Sequence, residues 1–315
     1  MFGGGTSWGG VRALFVSAVV VMVSLGSSAP ALARSHGGGG GGGGTGNGAP
    51  TGIDVSYPQC GASLPSSRAF AIVGVNGGLA NDYNSCLSSE YSYASRLTAT
   101  TKQPGVQAYV NTGDPGNGVA DWPSPSQLGA YGTTSTPVGT CGFASGTSGP
   151  GAESAACAYV YGYDMVRGIT YRSGSGNATI AGDVAAFHSA TGSQLYAAPV
   201  WLDVETGNSW QSSTGGLAMN VADLQGMVAS VQAAASAAGV VAKALGVYST
   251  SLQWNIITGT PGSSSGNLWN VSDWIPGAQS ETGAVSNCSQ RAFTGGTVSI
   301  TQWVGSLDGD YSCIG

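Results

Sequence analysis

Short runs rich in Val, Ile, Tyr and Trp recur along this chain, separated by Gly-, Ser- and Pro-rich joints, and helical patterning fills most of the gaps. The strand-like runs lie at 52–56, 70–75, 106–111, 198–205, 244–249, 268–274 and 299–304, with a short eighth at 307–311. Helical spacing marks 86–97, 156–168, 177–191 and 220–239. The last of these has Leu224, Met227, Val228 and Val231 at helical spacing, an Asn220 start and a Gly239 stop. Strands alternating with helices predict a parallel sheet or barrel. The expected class is therefore α/β: an irregular TIM-type (β/α) barrel of about eight mainly parallel strands. Helices thin out in the last third. One long segment, 112–150, breaks the rhythm and reads as a loop insertion after the third strand, on the face where barrel sites lie.

Not all 315 residues belong to that fold. Residues 1–33 have the plan of a secretory signal peptide: Arg12, an apolar run at 13–25, and a small-residue end at Ala31-Leu32-Ala33. Residues 34–50 include eight consecutive glycines, Gly37 to Gly44, which bury no apolar area and read as a flexible tether. Residues 51–315 form one domain of about 265 residues, enough for a full core. Six cysteines behind a leader predict disulfides rather than a metal site, since there is no C-x-x-C pair and the chain has only two histidines, His36 and His188. Fifteen pairings of six cysteines can be drawn. Proximity favours Cys60–Cys86, Cys141–Cys157 and Cys288–Cys313. The expected location is secreted, with no membrane contact once the leader is cleaved, no cofactor, and a monomeric state.

Charge narrows the function further. With Arg12 removed, 8 basic residues face 15 acidic ones, a net charge of −7. No basic patch exists to release counterions, so nucleic acid is excluded as a partner. Neutral sugar or peptide ligands remain compatible. Against this background of 8% charged residues, the run Trp201-Leu202-Asp203-Val204-Glu205 places two carboxylates two positions apart in an apolar strand. Side chains at i and i+2 of a strand share a face, about 6–7 Å apart at Cα. Burying two like charges together is costly, and acid/base chemistry is the usual reason for it. Asp54 in the first strand, and Asp308 and Asp310 near the last, would meet this pair at the rim of a parallel barrel. Glycoside cleavage needs such a set: a proton donor of raised pKa, and a second group that stabilises or traps the oxocarbenium-like state. Glu205 is the candidate donor, with Asp203 supporting it.

Several of these segments resemble a known family. Gly52-Ile53-Asp54-Val55-Ser56 is similar to the opening strand of the family 25 glycoside hydrolases, the muramidase-type lysozymes. Pro199-Val200-Trp201-Leu202-Asp203-Val204-Glu205 resembles their central acidic strand. Gly246-Val247-Tyr248-Ser249, Leu268-Trp269 and Thr301-Gln302-Trp303 resemble later strands, in the same order. The resemblance implies an irregular (β/α) barrel that hydrolyses the β-1,4 bond after N-acetylmuramic acid in peptidoglycan, with Glu205 as proton donor. It implies that Asp203 assists a substrate acetamido group, that Asp54 is a rim carboxylate, and that Asp308 or Asp310 fills a fourth acidic position. The chain departs from the family at Tyr109-Val110-Asn111, where an aromatic-rich Tyr-His-Phe type strand is usual, and in its insertion and its cysteines.

Residues at or past strand ends are expected to line the pocket: Asn76, Tyr109 and Asn111, with Trp210 and Trp122 as aromatic platforms for sugar. The plainer reading of Asp308 is a turn residue, since Asp308-Gly309 is a strong turn dipeptide. A second function class is a non-catalytic barrel that binds glycan or protein at the same rim. A serine hydrolase is the rival chemistry. Gly262-Ser263-Ser264-Ser265-Gly266 matches G-x-S-x-G, but no strand-to-helix elbow surrounds it.

Overall fold

The computed structural model describes residues 50–80, 82–100, 102–116, 121–169 and 180–315. The expected leader at 1–33, nearly all of the glycine tether and the first residues of the 177–191 helix lie outside them. Eight strands close into a barrel. They are β1 (Thr51–Val55), β2 (Phe70–Gly74), β3 (Val106–Asn111), β4 (Val200–Asp203), β5 (Leu245–Tyr248), β6 (Ser272–Ala278), β7 (Val298–Trp303) and β8 (Gly309–Ser312). Each pairs with the next, and β8 returns to β1. The six pairings from β1 to β7 are parallel. The other two, β7–β8 and β8–β1, are antiparallel. This is a closed α/β barrel of mixed strand direction. Only residues 304–308 separate β7 from β8. A parallel return needs a dozen residues or more, so so short a link forces a hairpin.

The link from β1 to β2 holds only a 3-10 turn (Tyr57–Gln59), and helices fill the remaining connections. α1 (Leu87–Ala94) follows β2, and α2 (Ala155–Met165) and α3 (Ile180–Thr191) follow β3. α4 (Thr214–Ala237) follows β4, α5 (Ser251–Thr258) follows β5, and α6 (Glu281–Asn287) follows β6. Four of them start on a hydroxyl that accepts a backbone N–H of the first turn: Ser154 from Cys157, Ser213 from Gly216, Thr250 from Gln253 and Ser280 from Gly283. Such caps are worth about 1 kcal/mol each. Asn220, the expected start of α4, lies inside the helix. Its amide donates to the carbonyls of Gln211 and Ile257 and accepts from Gln211 N–H, which bolts the helix to the chain after β4.

Strand alternation sorts the core into two layers. Ile53, Val55, Ala71, Val73, Ala108, Val110, Val200, Leu202, Val204 and Val247 point outward and share one buried cluster with helix residues such as Phe187, Leu224 and Met227. The opposite faces fill the barrel with Phe70, Ile72, Tyr109, Trp201, Trp274 and Ile300. Gly246 is required here. A Cβ at that position would stand 2.3 Å from the Trp201 ring, too close for any side chain.

All three expected disulfides are present. The described part of the 112–150 segment is a packed annex. Trp122, Cys141, Cys157, Tyr159, Val160 and Ala222 form a second buried cluster between the insertion, α2 and α4. A two-residue ladder, Ser135–Thr136 with Gly139–Thr140, and edge-on contacts of Tyr131 with Tyr159 and Tyr163 complete it.

Candidate active site

The mouth of the barrel, where β1 to β7 all end, collects carboxylates. Asp54 is the fourth residue of β1, Asp203 is the last of β4, and Glu205 lies two residues further along. Because Val204 turns outward into the helix layer, Asp203 and Glu205 both face the mouth. The three act on one another electrostatically: Glu205 raises Asp54, and both Glu205 and Asp54 raise Asp203. The expected catalytic trio is brought together.

Burial sets the acidity of each group. Asp203 is 4% exposed, its Oδ1 has no partner among the described residues, and burial drives its pKa well above the carboxylate range. Burial likewise lifts Asp54 to about 7, helped by Asp308 and Glu205 and opposed by the Gln302 amide. Glu205 is half-buried, and burial raises it too. The charges acting on these three groups are all negative. Among the described residues no cation acts on them, so each is held above the ordinary carboxylate range.

Neutral side chains hold the trio. Gln302 on β7 donates from Nε2 to Asp54 Oδ2 at 2.8 Å and accepts the Tyr248 hydroxyl at 3.0 Å. Gln253 on α5 donates from Nε2 to Glu205 Oε1 at 3.3 Å, while its Oε1 accepts Thr206 N–H at 2.7 Å and the Thr206 hydroxyl at 3.0 Å. The Glu205 carbonyl accepts the Trp210 indole N–H at 2.9 Å. Below them Trp274 forms an aromatic floor, with Tyr248, Trp201 and Tyr109 edge-on at centroid distances of 4.4, 5.9 and 6.1 Å. Sequence reasoning assigned no role to Gln253, Gln302 or Tyr248, and Trp274 entered only as one of seven tryptophans that could offer a sugar platform. The one available signal was a polar Gln302 two positions from Ile300 on an inward face.

Several expected ligand contacts are corrected. Trp122 is 1% exposed in the annex core and donates to the Gly116 carbonyl, so it offers no platform. Asn76 is fully buried, and its amide is consumed by Asn111: Nδ2 donates to the Asn111 carbonyl and Oδ1 accepts the Asn111 N–H. Asn111 is 3% exposed and bonded to Gly77 and Asn208, so both asparagines brace the loops above β2 and β3. Trp210 packs against the main core and anchors the Glu205 backbone. Asp310 is fully buried on an inward face of β8, not at the rim. Burial and Asp54 raise its pKa, and the Trp274 indole lowers it although neither side chain reaches strict hydrogen-bond geometry. Asp308 is the turn residue that its dipeptide predicts, accepting Gly305 N–H at 3.1 Å, and its charge still reaches Asp54. Tyr109 belongs to the aromatic floor.

The serine motif holds no nucleophile. Residues Gly262–Leu268 form a 3-10 turn, and the Ser264 hydroxyl is donated to the Pro261 carbonyl. Ligand atoms of Cys60, Cys86 and Glu90 lie within 4.8 Å of one another, but the two sulfurs are bonded to each other. A groove of about 580 Å³ lies elsewhere, lined by the far end of α4 and the segments that enter β5 and β6. It holds no carboxylate and is remote from the mouth. Among the described residues no helix is long and apolar enough to cross a membrane. No family model, curated protein or solved structure matches the chain.

Proposed function

We propose that this protein is a secreted glycoside hydrolase of muramidase type, acting on the β-1,4 bonds of peptidoglycan or a related amino-sugar glycan. The observation that carries the reading is the union of Asp54, Asp203 and Glu205 at one mouth, with no positive charge acting on them and all three pKa values raised. A half-buried glutamic acid whose pKa is raised by burial is suited to protonate a glycosidic oxygen. Asp203, next to it and with an oxygen unpartnered, is suited to orient a substrate acetamido group and stabilise positive charge on the sugar. Asp54, tied to Gln302 and through it to Tyr248, would set the field at the mouth. The six successive parallel pairings support descent from a TIM-type barrel whose last strand is reversed, in line with the resemblance to the family 25 glycoside hydrolases. Three disulfides fit an oxidising compartment and hence secretion.

The test is release of reducing ends from purified cell walls. Loss of a general acid typically costs about 10²–10⁴-fold, so Glu205→Gln should fall that far below the wild type. A wild-type protein no faster than Glu205→Gln removes the hydrolase reading and leaves a glycan- or protein-binding barrel.

A further inference from the structure

A second set of buried oxygens lies outside the mouth, between the insertion, α2, α4 and the chain after β4. Asp223 on α4 is fully buried, and neither of its carboxylate oxygens has a partner among the described residues. Asp114, just past β3, is 2% exposed; one oxygen accepts Gly116 N–H at 2.8 Å and the other is unpartnered. Gln211, just past the Glu205 loop, is 1% exposed, and both ends of its amide lack a partner in hydrogen-bond geometry. The three are neighbours: Asp114 is bonded to Ser209, two residues before Gln211, and Gln211 to Asn220, three residues before Asp223. The Asp114 charge raises the pKa of Asp223, and the backbone and side-chain N–H groups of Gln211 approach Asp114 closely enough to lower its pKa, though the side chains stop short of full hydrogen-bond geometry. The Tyr161 ring on α2 feels both carboxylates.

Their backbones are held firmly. Asp114 N–H donates to the Ser209 carbonyl at 2.9 Å, the Ser209 hydroxyl donates to the Asp114 carbonyl at 2.6 Å, and Asn220 clamps Gln211 from both sides. Gly162 on α2 lets the Asp223 turn of α4 come close: a Cβ there would stand 2.0 Å from the Asp223 carbonyl. A rigid cradle of unpartnered oxygens is an expensive thing to bury. The charges acting on the two carboxylates are themselves negative, from Glu153 on Asp114 and from Asp114 on Asp223. Two carboxylates balance one divalent cation. Oxygen donors without histidine or thiolate select a hard ion, and an irregular carboxylate–amide set suits calcium better than the strict octahedron of magnesium.

We propose that Asp114, Gln211 and Asp223 form a structural calcium site that fastens the loops after β3 and β4 to α2 and α4. The site is independent of the chemistry at the mouth, although it steadies the loop that carries Glu205.

The test uses the full-length protein stripped with EDTA, with thermal unfolding followed in EDTA and in added calcium chloride. Calcium at a hundredfold its dissociation constant should raise the midpoint by roughly 5 °C. Terbium should give luminescence sensitised by Tyr161 that calcium displaces. Asp223→Asn should lose both responses, with Asp114→Asn as the second variant should the first not fold. Asp203→Asn, at the mouth, should keep both. A midpoint that is the same in calcium and EDTA overturns the proposal, leaving a pair of carboxylates that share protons. Responses that persist in both cradle variants, or vanish only in Asp203→Asn, overturn it equally.

Discussion

Asp54→Asn should make the protein more stable at pH 8 and leave it nearly unchanged at pH 4. Burial lifts Asp54 from 3.8 to about 7 in the folded state. Between those values the folded protein holds a proton that the unfolded chain has released. Stability therefore falls as pH rises from about 4 to about 7, and is flat beyond. A rise of that size corresponds to about 4 kcal/mol in full. Asp54 is only half-buried as a residue, so solvent screening brings the usable figure to about 2 kcal/mol. Asparagine is a neutral isostere whose oxygen still accepts from Gln302, so it removes the titration and keeps the bond. Urea unfolding followed by tryptophan fluorescence at pH 4, 6 and 8 measures the difference. The variant should match the wild type at pH 4 and exceed it by about 2 kcal/mol at pH 8. Parallel stability curves for the two proteins, or a variant weaker at pH 8, would refute the view that burial at the mouth forces Asp54 to keep its proton.

Two further outcomes probe the supports of the site. Gln253→Met removes the donor that lowers the Glu205 pKa, so the alkaline limb of the cell-wall hydrolysis profile should move to higher pH. A uniform loss of rate with an unmoved limb would mean that Gln253 only packs. Gly246→Ala drives a methyl into Trp201 inside the barrel, an overpacking that costs about 1–3 kcal/mol and is read as a lowered urea midpoint. A wild-type midpoint would show that the aromatic floor is loosely packed.

The strands were legible because they are buried on both faces and so read as short apolar runs rich in Val, Ile, Tyr and Trp, set off by Gly-, Ser- and Pro-rich joints. β3 falls on 106–111 as the sequence predicts, and β1, β2, β5 and β7 agree to within a residue or so at each end. β6 was misplaced because Leu268 closes a 3-10 turn, while the strand itself runs on through Pro276 and Gly277, residues that normally end one. α5 and α6, of 8 and 7 residues, are too short to show a period. The first turn of α4 was hidden by Gly215 and Gly216, poor helix formers, although Ser213 was there to cap it. The pairing of Asp203 with Glu205 and Asp54 followed from face and rim alone. Gln253, Gln302 and Tyr248 did not, since an amide or phenol acquires its role only from a partner far along the chain. Trp122 was misread because Gly- and Pro-rich surroundings suggest an exposed loop, whereas the Cys141–Cys157 bond welds that segment to α2.

The reversed strand has a consequence for how the molecule is made. β1 leaves a ribosome or an export channel first, yet one of its two edges is covered only by β8, through pairs such as Thr51 with Tyr311. Until that strand emerges, the sheet stays open along one side, with a bare ladder of N–H and C=O groups next to Asp54. The mouth is thus completed in a single late event, and the Cys288–Cys313 bond, which ties the residue after β8 to the end of α6, can lock the ring only then. An acid site that depends on closure has no acidity of its own during synthesis. The nascent chain carries ordinary carboxylates, and the unusual ones appear only when the last strand slides in.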